Sequence, residues 1–205
     1  MADKEKSRKA NKSTPDSVEI PASNISVYEA LYRRRMAWRF KDTPVDRETI
    51  NRILDTAVWA PNHRLTEPWR FFALEKDTEA RKQAAEAAYE YSLEGGNRGR
   101  AEAARQKVLE PPVLIVVYSK PGDNEGVTRE NYASVCCAIQ NMSLAAVAEG
   151  LTVTWETGRI TRSPQLRKIL GAKKKWQMVG ALSVGVPDEE LNPPRTPAAH
   201  FTTWL

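Results

Sequence analysis

With 205 residues, 31 basic and 26 acidic side chains and a formal charge of +5, the chain has room for one domain with a substantial core. That charge is well short of what a dedicated nucleic-acid binder carries, and a 41% hydrophobic content excludes a wholly disordered chain. No apolar run is long enough for a membrane span, and no hydrophobic signal core opens the sequence. The only cysteines, Cys136 and Cys137, are adjacent, which on a helix places them poorly for a disulfide and suits a reducing, cytoplasmic setting. Two histidines and two cysteines without ligand spacing argue against a metal site.

Residues 1–24 hold five Lys/Arg and four Asp/Glu, are interrupted by proline, and read as a disordered polar tail ahead of a single domain over 25–205. Ser26 and Glu29 form a capping box that opens a helix ending near Met36. Its last turn carries Arg33, Arg34 and Arg35, which complement the helix dipole and need no ligand to explain them. Ile50, Ile53, Leu54, Ala57 and Val58 mark a second helix over 47–59, stopped by Pro61. Residues 59–71, Trp-Ala-Pro-Asn-His-Arg-Leu-Thr-Glu-Pro-Trp-Arg-Phe, set a histidine and cations between two prolines and two tryptophans. The prolines fix the backbone, so the segment reads as a wall for a flat, charged ligand.

Residues 70–75 predict a short strand, and Asp77 the cap of an Ala-rich helix closed by Gly95 and Gly96. A second helical piece covers 99–110. The uninterrupted β-branched run 113–119 predicts a central strand, 121–126 a loop, and 130–149 the longest helix. Val135, Ile139, Met142, Ala146 and Val147 are its core stripe, and its small residues permit close packing against another helix, including one from a second subunit. A strand follows at 151–155. Ser163 and Pro164 start a short helix, and 178–187 is the fourth strand. The run 159–175 has seven cations and no acid, which reads as a solvated face or a dock for an anionic partner such as the phosphates of NADPH. The tail from 190 is Pro-rich and ends in aromatics, as an extended arm lying on an apolar surface would. The irregular alternation predicts an α+β architecture.

No dinucleotide fingerprint, phosphate-binding P-loop, nucleophile elbow or metal motif is present. What remains is the arginine cluster, the 59–71 wall, residues 154–159 and the aromatic tail. A charge-assisted hydrogen bond contributes about 1.5–3 kcal/mol, and micromolar binding needs roughly 8 kcal/mol. Several such contacts and a buried aromatic plane would hold a ligand with a phosphate and a flat ring system, such as FMN.

Residues 28–40 and 44–75, with their Arg-Arg pair followed by a Phe and their Ala-Pro…Pro-Trp-x-Phe element, resemble the N-terminal half of the FMN-dependent nitroreductase family, in its compact branch. The resemblance covers about 25–205. It implies a nitroreductase-like α+β fold, a central mixed β-sheet flanked by helices, in an intertwined homodimer with exchanged C-terminal tails and FMN at the subunit interface. Arg34 and Arg35 match the family's arginine pair, which holds FMN phosphate and ribityl oxygens; Met36 stands where the family has Ser, leaving only its backbone for that contact. Trp59 and His63 match positions that line the flavin of the partner subunit, Trp59 in place of an Arg. Trp155, Glu156 and Thr157 match the segment along the flavin, Glu156 again in place of an Arg, and Trp38 stands where many members have Arg. The lost cations would have to be replaced at flavin N1 by Arg35, Arg39 or a protonated His63. The implied chemistry is hydride transfer from NADH or NADPH to flavin N5, then to a nitroaromatic or quinone-like acceptor. The alternatives are flavin destruction or reductive dehalogenation in the same fold, or a basic polyanion-binding module.

Overall fold

The computed structural model describes residues 20–205; most of the polar tail expected over 1–24 therefore lies outside the described residues. Each helix starts where a short polar side chain can accept an orphan backbone N–H. Ser26 accepts from Glu29 N and opens α1 (Val27–Arg33), Asp46 opens α2 (Arg47–Ala57), and Thr78 opens α3 (Glu79–Leu93). Asn97 opens α4 (Arg98–Leu109), Asn124 opens α5 (Glu125–Ala148), and Ser163 opens α6 (Pro164–Ile169).

Three boundaries differ from the sequence reading. The capping box at α1 is only half made, because the Glu29 carboxylate turns forward to Arg33, 2.8 Å away, and the helix stops at Arg33. Asp77 sits at φ 64° and is a turn residue, which hands the cap to Thr78. The loop expected at 121–126 is in part helix: Asn124 Oδ1 accepts from Val127 N at 3.0 Å and starts α5 five residues early, despite Gly126.

The strands are β1 (Trp69–Glu75), β2 (Val113–Ser119), β3 (Thr152–Glu156) and β4 (Gln177–Gly185), in the order β1-β2-β4-β3. Every pairing among the described residues is antiparallel, so the mixed sheet expected from the resemblance is corrected: parallel neighbours would need a strand this sheet does not include. β2 is buried throughout, as its sequence predicts. Alternation sends Val113, Ile115 and Val117 to one face, against Ile53 of α2 and Val135, Ile139 and Met142 of α5. Leu114, Val116 and Tyr118 face the other side, against Ala84 and Ala88 of α3, Val108 of α4 and Leu166 of α6. Burying each large aliphatic side chain contributes roughly 1.5–3 kcal/mol.

One buried cation ties the second layer together. Arg81, fully buried in α3, donates to the carbonyls of Val108, Leu74 (2.5 Å) and Pro111 (2.6 Å). Its guanidinium thereby fastens α3 to the end of α4 and to β1. Burial pushes its pKa down to about 10, with Asp77 opposing, so it stays charged at neutral pH.

Candidate functional site

Because α1 ends at Arg33, residues 34–41 leave the helix as an extended strap. Arg34 already has ψ 118°. Thr152 Oγ1 of β3 donates to Arg35 O at 2.5 Å, and Thr154 Oγ1 donates to Ala37 O at 2.6 Å and accepts from Ala37 N at 3.0 Å. Further on, Lys41 N donates to Val186 O and Asp188 N to Arg39 O, while Glu189 accepts from the backbone N–H of Trp38 and Arg39. The β-branched hydroxyls of an edge strand thus set the height of the strap, and with it the arginine pair.

Arg35 is largely engaged by protein. It donates to the carbonyls of Tyr32 (2.7 Å) and Arg34 (2.9 Å) and to Asn192 Oδ1 (2.8 Å), which ties the strap to the C-terminal segment. Its Nε is buried with no partner. Arg34 is half-buried and has no carboxylate partner among the described residues. Its pKa is lowered by burial first, then by the positive charges of Arg195 and Arg35. Arg34, with the charges of Arg195 and Arg35 bearing on it and no carboxylate partner, suits an anion such as a phosphate. Arg195 was missed in the sequence because the Pro-rich tail has no periodicity to place it.

Met36 and Arg35 border a cleft of about 390 Å³ with Tyr32, Leu151 and Glu189. Across the strap, Ala37 and Trp38 border a second cleft of about 320 Å³ with Lys107 and Glu156. There the acid that replaces an expected cation is neutralised: Lys107 Nζ of α4 lies 2.6 Å from Glu156 Oε1 and 4.9 Å from the Trp38 ring centre. Lys107, absent from the cations considered in the sequence, is thus the one that reaches Glu156; the two are 49 positions apart, with no local pattern to join them. Trp155 points to the opposite face, its Nε1 donating to Val179 O at 3.2 Å and its indole lying where a Cβ on residue 180 would sit. Its side chain belongs to the core. Thr157 is exposed, and its carbonyl accepts from Thr161.

Trp59 and His63 are not brought to these residues within one chain. α2 runs along α5 so that Arg52 bonds Glu149 at one end while His63 Nδ1 lies 3.7 Å from Glu130 at the other. Val147, beside Arg35 in the first cleft, is seventeen residues from Glu130, on the order of 25 Å along the helix. Trp59 is 67% exposed and Leu65 81%, so the wall faces outward. Its backbone is strained, with Arg64, Leu65 and Glu67 at φ 63°, 47° and 44°. Asn62 and Asn131 hold it: Asn62 Oδ1 accepts from Glu67 N, Asn62 Nδ2 donates to Thr66 Oγ1, and Thr66 Oγ1 donates to Asn131 Oδ1 at 2.6 Å.

Comparison with known proteins matches residues 31–186 to the family model described as the Nitroreductase family. YdjA of Escherichia coli strain K12, classed provisionally as an NAD(P)H nitroreductase, is 32% identical over 165 residues, 80% of this chain and 89% of that one. The iodotyrosine deiodinase of Nematostella vectensis is 24% identical over 197 residues, 88% of this chain and 74% of that one. Among solved structures, a nitroreductase-like protein from Bacillus cereus superposes with TM-score 0.81 at 27% identity, covering 91% of this chain and 99% of that one. The FMN and NADPH-dependent nitroreductase NfnB from sphigopyxis sp. strain HMH does so with TM-score 0.73 at 20% identity, covering 88% and 99%.

Proposed function

Since this chain belongs to the Nitroreductase family, we propose that it is an FMN-dependent oxidoreductase whose two flavin sites are each shared between two copies, with electrons passing from NADH or NADPH to a nitroaromatic or quinone-like acceptor. The observation that carries the reading is the split site. The arginine strap and the tryptophan–histidine wall lie at opposite ends of α5, and neither encloses a ligand alone. A two-fold pairing of α5 against its copy brings one end of the helix to the other end of its partner. The face of α5 left uncovered here, Ala133, Cys137, Gln140 and Ala148, with half-buried Leu144 between them, is mostly small enough for close helix contact. Exposed Tyr28 and Tyr32 of α1, which packs on α5, add apolar surface beside it, and the tail beyond Asn192, with exposed Phe201 and Trp204, is long enough to lie on the other copy.

In this reading Arg34 and Arg195 hold the FMN phosphate, Arg35 Nε and the Met36 backbone the ribityl chain, and the backbone of Trp155, Glu156 and Thr157 runs along the ring system. Bound there, the flavin supplies hydride transfer at N5. Lys107 meets the need for a cation beside the ring, because Glu156 orients it and its ammonium lies over the Trp38 ring. Trp59 and His63 of the second copy shelter the ring from water.

Purified protein should be a yellow dimer absorbing at about 450 nm, bleached anaerobically by a reduced nicotinamide and recoloured by a quinone or nitroaromatic. A colourless monomer that takes up no added FMN overturns the reading. The likeness to the deiodinase makes reductive dehalogenation the second candidate; release of iodide from an iodotyrosine, with no turnover of nitroaromatics, would favour it.

A further inference from the structure

The cations of the 159–175 run do not stand alone in the fold. Arg70 is the second residue of β1, Lys120 follows β2, and Lys173 and Lys175 lie in the turn that leads into β4. The register places Arg70 opposite Tyr118, and Ser119 opposite Gln177, so three strand ends gather these residues at one end of the sheet. Trp176 sits among them, half-buried, with the Arg70 guanidinium 5.7 Å and Lys173 Nζ 5.8 Å from its ring centre. Lys120 is held below its ordinary pKa by burial and then by Arg70, Lys173 and Lys175, with Glu67 opposing.

Several cations elsewhere meet a carboxylate, among them Arg33, Arg47, Arg52, Arg105, Lys76 and Lys107. None of these four forms an ion pair among the described residues. The patch is also braced against the wall. Lys120 N donates to Pro68 O at 2.8 Å, and Asn131, which accepts from Thr66, donates to Lys120 O at 3.1 Å. The loop that carries His63 and the backbone of Lys120 thus belong to one hydrogen-bonded body.

We propose that Arg70, Lys120, Lys173 and Lys175 form a phosphate-binding patch for the adenosine end of the nicotinamide donor, and that it makes NADPH the preferred one. The inference rests on the flavin reading above, which puts the wall over the partner's flavin ring. A donor lying with its nicotinamide on that ring must run its phosphates outward past the wall, and the patch begins seven residues beyond His63. The charge count separates the two donors. The pyrophosphate they share carries about two negative charges, and the 2′-phosphate of NADPH adds close to two more, roughly matching four cations.

The test uses 2′,5′-ADP as probe, with binding to the full-length protein measured by calorimetry at low salt, and KM and kcat measured with each donor. Wild type should bind 2′,5′-ADP. A Lys173→Gln/Lys175→Gln variant should bind it about tenfold or more weakly, with KM raised more for NADPH than for NADH and with kcat held. Arg70→Gln should do the same, which guards against an effect confined to one turn. Equal binding of the probe by wild type and both variants overturns the proposal, as does an oligonucleotide that binds the same lysines more tightly than 2′,5′-ADP. Probe binding requires no flavin. A yellow dimer that ignores 2′,5′-ADP therefore sinks the patch alone, whereas a colourless protein that binds it through these lysines sinks the flavin reading and leaves an adenine-nucleotide site.

Discussion

At its C-terminal end α5 abuts a strap whose arginines are half-buried and whose backbone is gripped by Thr152, Thr154 and Glu189. At its other end it supports a wall whose Trp59, His63 and Leu65 side chains are exposed, though Trp69 is buried, and whose backbone holds three residues at positive φ. The first region holds its cations fixed by its own chain. The second holds an exposed surface in a fixed shape, at a cost of about 1–3 kcal/mol per strained residue. Rigid presentation is achieved in both places, by hydroxyl-to-backbone bonds in one and by the Asn62–Thr66–Asn131 relay in the other.

The largest expected effect erases the contrast altogether. Arg81→Met leaves three buried carbonyls without a donor, at about 1–3 kcal/mol each; thermal unfolding should shift down by many degrees, and both regions should be lost together. Next comes a complementation experiment. Arg34→Ala and Trp59→Ala dimers should each be nearly inactive, but mixing them after dissociation should restore about a quarter of the wild-type sites, since half of the dimers are hybrids with one intact site of two. No recovery would place both residues in the same chain's site.

A smaller effect separates binding from folding. Arg34→Ala should weaken FMN by about 10- to 150-fold, from about 1.5–3 kcal/mol of lost charge-assisted bonding, while apo-protein melting stays unchanged or rises, because a repulsive cation has gone. Full flavin occupancy in that variant would contradict the assignment. The smallest concerns the bond that aligns α2 with α5. The hydrogen bond from Arg52 holds the Glu149 carboxyl below its ordinary 4.5, against burial, and the Arg52 charge adds to it. A carboxyl depressed in the folded state stabilises the fold above its unfolded pKa, and that increment fades as pH falls through the lower folded value. Glu149→Gln should therefore melt slightly lower at neutral pH and match wild type in strong acid, read by calorimetry across that range.

The elements were legible where capping and burial are local. Ser26, Ser163 and Pro164 announced their helices, and the β-branched run 113–119 announced a central strand. The early start of α5 was hidden because proline, glycine, Asp123 and Asn124 read as a turn, when the Asn124 side chain was acting as the cap. Within the site, the strap and wall were legible as motifs. The partners that complete them were not. Arg195 reaches Arg34 from 161 positions away through a coil, and Lys107 meets Glu156 across two layers. Such encounters are decided by how layers stack, which no window of sequence contains. The same limit reversed the apparent charge at Glu156, whose carboxylate is matched by a lysine from another helix.

The Arg81 clamp has a mechanical corollary. Its three carbonyl partners lie at the foot of the α3–α4 hairpin, next to Lys107, whereas Gly95 and Gly96 form the free tip. Any swing of that hairpin to admit a bulky guest must pivot at the foot like a gate on its post. The tip then travels furthest, and the ammonium group beside the floor of the second cleft scarcely moves.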